Sequence, residues 1–312
     1  MRKFWEGGDF SDTPAGGRGY TFLDDLSGED SSMSSGRIAL ALAALVAAVA
    51  PAAAQDTSPA VERHLNIAYR TDADADKERH KLDVYVPKGK KDFPVLFFVH
   101  GGSWRSGNKG IYAALGNSFA GAGVGTVVIN YRLSPKVKHP AHIEDVAKAF
   151  AWTCENIGKY GGKADRVFAC GHSAGGHLVS LLATDPSYLK AEKRTPADIR
   201  GVVAISGVYS IDTEFPLFNT VFGKNPDVCK AASPLTHANG KHPPFLIAYA
   251  DNDFAQLDKM AIDLDAALKK TPTPTTLVKL VGRNHYTIIM KLIDATDPLN
   301  KAVAEFIGTH AK

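Results

Sequence analysis

The chain predicts an α/β fold: a mostly parallel sheet with helices on both faces and a short cap insertion. Two observations predict it. Short apolar runs at residues 82–86, 95–99, 126–130, 167–170, 202–205, 245–249 and 277–281 have the length and composition of strands, most of them covered on both faces. Stretches of helical periodicity fall between them, and strand alternating with helix is the pattern of parallel pairs joined by crossovers.

Taken in order, Val95 to Val99 is continuously apolar and ends in His100-Gly101-Gly102-Ser103-Trp104, where two glycines let the backbone turn its amides into a cleft. Ile143, Val146, Ala147, Phe150, Cys154 and Ile157 then form one helical stripe. Val167-Phe168-Ala169-Cys170 is a buried strand running directly into Gly171-His172-Ser173-Ala174-Gly175. Leu178, Leu181 and Leu182 follow at helical spacing, so strand, sharp turn and helix appear in sequence. Residues 212–232 are the main irregular insertion, read as a short cap; Phe215, Phe218 and Phe222 either line a substrate pocket or pack the cap onto the body. Phe245 to Ala250 is a strand followed by Asp251-Asn252-Asp253, and Leu257, Met260, Ala261, Leu264 and Leu268 form a second helical stripe. Thr276 to Val281 is a strand ending in Gly282-Arg283-Asn284-His285. A last helix starts with Asp297 as cap and Pro298 at its first position, and buries Leu299, Val303, Phe306 and Ile307.

The chemistry lies at the ends of these strands. A serine hydroxyl attacks a carbonyl when it is held clear of its backbone, beside a base and beside donors for the developing oxyanion. Ser173 has the turn for this, with glycines two residues away on each side. The amides of Gly102, Ser103 and Ala174 are the expected oxyanion donors. An acid after the next-to-last strand, Asp251 or Asp253, and His285 after the last complete the order serine, acid, histidine. The pentapeptide alone is a modest signal in a chain with 28 glycines; the constellation is specific. Trp104 and Tyr286, beside the oxyanion turn and the histidine, join the three cap phenylalanines as candidate pocket residues.

From His80 to its end the chain resembles the esterase-type α/β-hydrolases that carry a His-Gly-Gly-x-Trp oxyanion motif. That group includes carboxylesterase and feruloyl-esterase-like proteins, kynurenine formamidases (arylformamidases) and prenylcysteine methylesterases. The resemblance is densest in His139-Pro140-Ala141-His142-Ile143-Glu144-Asp145-Val146, in residues 156–167 and around Ser173. It implies Ser173 as nucleophile, Asp253 as the acid and His285 as the base. Ala250 stands where that acid turn has glycine, which keeps Asp251 as the competing acid. The resemblance implies hydrolysis of a small-molecule carboxylic ester through an acyl-enzyme, with two rivals: formamidase-type amide hydrolysis, and a binding module without catalysis.

Composition agrees with an enzyme. The 36 basic and 33 acidic side chains give a formal charge of +3, and 45% hydrophobic content in 312 residues provides for a substantial core. No basic tract points to nucleic acid, no Cys/His spacing points to a metal, and no cofactor is implied. From Met33 a short basic region, an apolar stretch over residues 38–50 and Ala52-Ala53-Ala54 read as a secretory signal peptide cleaved near Ala54, hence a secreted or periplasmic protein with no stable membrane anchor. Residues 1–32 are read as an extension ahead of the true start, 55–79 as a lead-in, and 80–312 as the catalytic domain. Three cysteines leave one unpaired; Cys170 belongs to the core, and a Cys154–Cys229 disulfide is the pairing considered.

Overall fold

The computed structural model describes residues 60–312; the expected signal peptide and the start at Met33 lie outside the described residues. Eight strands form one sheet: β1 (Val61–Ala68), β2 (Lys81–Pro87), β3 (Phe93–Val99), β4 (Gly125–Ile129), β5 (Gly162–His172), β6 (Gly201–Ile205), β7 (Phe245–Asn252) and β8 (Thr275–Asn284). Their order is β1-β2-β4-β3-β5-β6-β7-β8, with β1 and β2 antiparallel to their neighbours and the rest parallel. The helices are α1 (Ala113–Gly121), α2 (Ala141–Asn156), α3 (Ala174–Thr184), α4 (Pro186–Ala191), α5 (Pro216–Phe222), α6 (Pro226–Ala231), α7 (Pro234–His237), α8 (Leu257–Leu268), α9 (Thr287–Met290) and α10 (Pro298–His310).

The unbroken apolar runs are explained by cover on both faces. Val95, Phe97 and Val99 of β3 pack into one core with residues of α2, α3 and α8, while Leu96 and Phe98 point into a second core with α1 and α10. The Asp297 carboxylate accepts the Leu299 amide at 2.8 Å, and Leu299, Val303, Phe306 and Ile307 are buried as their spacing required.

The sheet starts earlier than the sequence boundary at 80. Strand β1 falls in the stretch read as a lead-in and pairs antiparallel with β2, from Val61 opposite Pro87 to Ala68 opposite Lys81. It is an edge strand in which polar residues interrupt the apolar ones and none is fully buried, so it lacks the apolar run that marks the others. Cys154, Cys170 and Cys229 are buried free thiols, so the Cys154–Cys229 disulfide is not formed.

Strand order reverses at β3, which has β4 on one side and β5 on the other. Loops leaving the carboxyl ends of β3 and β5 therefore diverge and open a crevice at this switch point. The His100-Gly101-Gly102-Ser103-Trp104 turn follows β3 and Ser173 follows β5, so the two motifs meet there.

Candidate active site

Ser173 sits between β5 and α3 with φ 56° and ψ −121°, a left-handed backbone unusual for a residue with a side chain. Its amide donates to the Ile205 carbonyl (2.9 Å) and its carbonyl accepts from His177 (3.0 Å). The flanking glycines are required for space. A Cβ on Gly171 would lie 2.3 Å from the Gly175 carbonyl oxygen, and one on Gly175 would lie 2.0 Å from that of Val99.

The three side chains expected to converge do so. Ser173 Oγ is 2.9 Å from His285 Nε2, and His285 Nδ1 is 2.6 Å from Asp253 Oδ1. An ionised carboxylate only accepts, so Nδ1 carries the proton and Nε2 is left to accept the serine O–H. His285 is buried, and Phe254 stacks on its ring at 4.1 Å. Burial works to raise the Asp253 pKa, but hydrogen bonds from His285 and Ser206 outweigh it and hold the carboxyl below its usual range. Asp251 is engaged elsewhere: its carboxylate accepts the amides of Gly282 and Arg283, both at 3.0 Å, and so steadies the strand end leading to His285.

The turn after β3, the candidate oxyanion turn, is built from strained backbone. Gly102 has φ 112°, and Ser103 and Trp104 follow at 54° and 58°. The Gly102 carbonyl accepts from the Arg105 and Ser106 amides, closing the turn. Ala174 is the first residue of α3, where helical amides have no intrahelical acceptor. Arg79 fixes the loop from behind: Nε donates to the Tyr131 carbonyl (2.8 Å), the terminal nitrogens to the Gly107 carbonyl (3.2 Å), and Nη2 to His100 Nε2 (3.3 Å). Because His100 Nε2 accepts, its Nδ1–H donates to the Gly101 carbonyl (2.7 Å), and burial keeps the ring neutral with a pKa pushed down to about 3.

His172, also read only as part of a motif, donates from Nε2 to the carbonyl of His285 (2.9 Å). Its pKa is pushed down to about 3 by burial, with the neighbouring His285 adding to the effect. A neutral imidazole thus anchors the histidine loop to the serine elbow.

The pocket residues divide. Trp104, Phe218 and Phe222 are core residues, with ring contacts of 6.0 Å (Trp104–Phe218), 5.0 Å (Trp104–Phe222) and 6.2 Å (Phe218–Phe222). Trp104 Nε1 donates to His177 Nδ1 (3.2 Å), whose Nε2 donates to the Ala232 carbonyl (2.8 Å). Of the two sequence readings of the cap phenylalanines, packing of the cap onto the body describes Phe218 and Phe222. Phe215 is half-buried against the same core, and Tyr286 is 58% exposed with its ring 5.7 Å from that of His285. A cavity of about 300 Å³ inside the cap, lined by Asp212, Cys229 and Ser233 among others, includes none of the three converging side chains.

Sequence reasoning missed Ser206, Arg79 and His172 as site residues. The available signal for Ser206 was its place at the carboxyl end of a strand beside the switch point. Among the described residues no group of three or more His, Cys, Asp or Glu is placed to hold a metal, and no helix is long and apolar enough to cross a membrane.

LipM of Mycobacterium tuberculosis, a probable carboxylic ester hydrolase, is 36% identical over 177 residues, covering 51% of this chain and 41% of LipM. The kynurenine formamidase of Salmo salar is 26% identical over 256 residues, covering 78% of this chain and 82% of that enzyme. A truncated carbohydrate esterase from gut microbiota superposes with a TM-score of 0.70 at 22% identity, over 83% of this chain and 98% of that one, a likeness of fold. The chain spans about half the length of the mycobacterial relatives it matches. The BD-FAE family model matches residues 82–268, from β2 to the end of α8 and through both Ser173 and Asp253, and the chain accordingly belongs to the BD-FAE family of α/β-hydrolases.

Proposed function

We propose that the protein is a serine hydrolase of small-molecule carboxylic esters. The observation that carries this reading is the hydrogen-bonded chain Ser173–His285–Asp253, at 2.9 and 2.6 Å, beside the left-handed turn at Gly102 and Ser103. Ser173 Oγ attacks the ester carbonyl as His285 Nε2 takes its proton, and Asp253 holds the imidazole tautomer and stabilises the imidazolium. The amides of Gly102, Ser103 and Ala174 receive the oxyanion; one such donor contributes about 3–4 kcal/mol. The intermediate collapses by breaking the bond to the alcohol oxygen, which leaves with the proton from His285. Water, deprotonated by His285, then attacks the acyl-serine and releases the acid.

The test is labelling by a fluorophosphonate together with hydrolysis of p-nitrophenyl acetate. Both are expected for the wild type, and Ser173→Ala should lose roughly 10⁶-fold in turnover because members of such a unit fail together. Retained turnover in Ser173→Ala refutes the assignment.

A second reading, amide hydrolysis of the N-formylkynurenine type, is favoured by one observation: the formamidase relative is matched over 82% of its length, whereas the mycobacterial esterases are matched over about half. The same serine machinery serves both chemistries. A kcat/KM for N-formylkynurenine exceeding that for p-nitrophenyl acetate decides for the amide. Export belongs to the proposal too, through the apolar segment at residues 38–50. N-terminal sequencing of the native protein tests it: a mature chain beginning near residue 55 is expected, one that retains residues 38–50 refutes export by cleavage, and one that begins before Met33 also refutes the start at Met33.

A further inference from the structure

Asp253 has four donors for its four acceptor sites. Oδ1 accepts from His285 Nδ1 (2.6 Å) and the Phe254 amide (2.9 Å); Oδ2 accepts from Ser206 Oγ (2.5 Å) and the Ala250 amide (3.1 Å). Three of these come from the carboxylate's own turn or from its imidazole partner. The fourth is Ser206, one residue past the end of β6. It is fully buried, so it meets no substrate, and its φ of 47° is a conformation that disfavours any residue with a Cβ. Its amide donates to the Ala248 carbonyl (2.7 Å), and the residue before it, Ile205, receives the amide of Ser173 (2.9 Å). The dipeptide Ile205-Ser206 thus touches the nucleophile's backbone with one residue and the acid's carboxylate with the next.

We propose that Ser206 is the positioning residue of this site, its hydroxyl orienting the Asp253 carboxylate toward His285 Nδ1 while its backbone ties the acid turn to the serine elbow. The inference rests on the catalytic reading of Ser173, His285 and Asp253. Without the hydroxyl, Oδ2 keeps only the Ala250 amide, the longest of the four contacts at 3.1 Å, and the carboxylate is freer to rotate about its terminal bond and lose alignment with the imidazole. The hydroxyl, the closer of the two donors on Oδ2, opposes that rotation. Because the hydroxyl acts through the acid, its loss should slow the chemical steps and leave ground-state binding of a small ester alone.

The experiment compares Ser206→Ala and Ser206→Gly with the wild type on p-nitrophenyl acetate, with Ser173→Ala in parallel. Both Ser206 variants should lose roughly 10–100-fold in kcat, the loss of one hydrogen bond to a charged acceptor, with KM within about twofold. The acid-side limb of kcat/KM should move to higher pH, because a carboxylate relieved of one donor holds the proton it shares with the imidazole more tightly. Ser206→Gly relieves the left-handed backbone and should keep the wild-type melting temperature, which separates the hydroxyl's role from folding. Wild-type kcat with an unshifted limb in both variants overturns the proposal. So does full turnover in the Gly variant alone, which would leave only backbone strain at this position. If Ser173→Ala stays active, the catalytic reading fails instead; an inactive Ser173→Ala beside fully active Ser206 variants overturns the role of Ser206 and nothing else.

Discussion

Lowering the pH from 7.5 to 5 should destabilise this fold through histidines, well above the range where carboxylates titrate. His100, His172 and His177 are buried, each with a pKa pushed down to about 3 by burial, and each imidazole is committed to a neutral tautomer by its partners. His139 and His142 are pushed down to about 4 for the same reason. In the unfolded chain a histidine titrates near ~6.5. The folded pKa is depressed, so the unfolded state binds protons that the native state refuses; full stability is present above ~6.5 and is lost as pH falls toward 4 and then 3. At pH 5 an unfolded histidine gains about 2 kcal/mol from protonation, so the three most buried rings together remove about 6 kcal/mol. That is comparable to the whole stability of a typical domain, about 5–15 kcal/mol. Asp145 and Asp253 have a separate window. Burial opposes their ionisation, but hydrogen bonds, from His80 and Arg132 to one and from His285 and Ser206 to the other, hold both below the usual range. Their contribution is complete above the unfolded carboxylate value of ~3.9 and is lost only beneath it. Urea unfolding of the folded domain at pH 7.5, 6.5, 5.5 and 5.0 reads the effect directly, since the slope of stability against pH counts the protons taken up on unfolding. An unfolding free energy constant over that range, falling only below pH 4, would show that these imidazoles are not held neutral in the folded state.

Four further outcomes are expected. Asp253→Asn should reduce kcat on p-nitrophenyl acetate by about 10⁴-fold through the wrong imidazole tautomer. Asp251→Asn, which disturbs the contacts to the Gly282 and Arg283 amides and to the Asn252 side chain, should stay within about tenfold, and the reverse ranking in steady-state kinetics would exchange their roles. Arg79→Lys exchanges a planar fork for a single ammonium that cannot reach the Tyr131 and Gly107 carbonyls together; kcat should fall about tenfold by loosening the oxyanion turn, and unchanged turnover would release Arg79 from that role. Asp145→Asn leaves Arg132 and His80 without their shared buried carboxylate, and urea unfolding should register a loss of about 3–5 kcal/mol, with a loss under 1 kcal/mol excluding that network as a major support.

The legible parts of the fold were those whose physical cause is local. Burial on both faces writes an uninterrupted apolar run, which is why the core segments of β3, β4 and β6 could be placed within a residue or two of their observed ends. The α8 stripe, Leu257 to Leu268, matches its helix end to end because one face packs and the other is solvated. Strand β1 was illegible for the converse reason: at the edge its side chains meet water, and nothing in their order distinguishes them from a loop. The cap helices α5 and α6 span seven and six residues, too short for a period to emerge. Within the site, Ser173, His285 and the oxyanion turn were marked by neighbours in sequence, glycines above all. Ser206 and Arg79 touch the same machinery only across space, from a strand end and a loop with no motif around them, and such contacts have no linear signature.

Glycines and positive-φ residues at the carboxyl ends of the strands answer two different demands. Gly171 and Gly175 have ordinary φ values and are glycine for space alone, since the elbow brings helix α3 onto the carbonyl of Val99. Trp104, Ser173 and Ser206 carry side chains at φ 58°, 56° and 47°, where glycine would avoid a penalty of roughly 1–3 kcal/mol each. Each keeps its side chain because the side chain has a partner: the cap and His177 for Trp104, His285 for Ser173, Asp253 for Ser206. Ser103, at 54°, shares the strain, and nothing in the structure explains its side chain. The distinction can be tested at Gly175. A methyl group there would stand 2.0 Å from one backbone oxygen and 2.8 Å from the next, that of His100, and neither atom belongs to a side chain that can turn away. Gly175→Ala should therefore force β3 and α3 apart and give little soluble protein, measured by yield and circular dichroism. A well-folded, active Gly175→Ala would mean that the elbow is not packed against β3, and the placement of Ser173 beside the oxyanion turn would have to be abandoned with it.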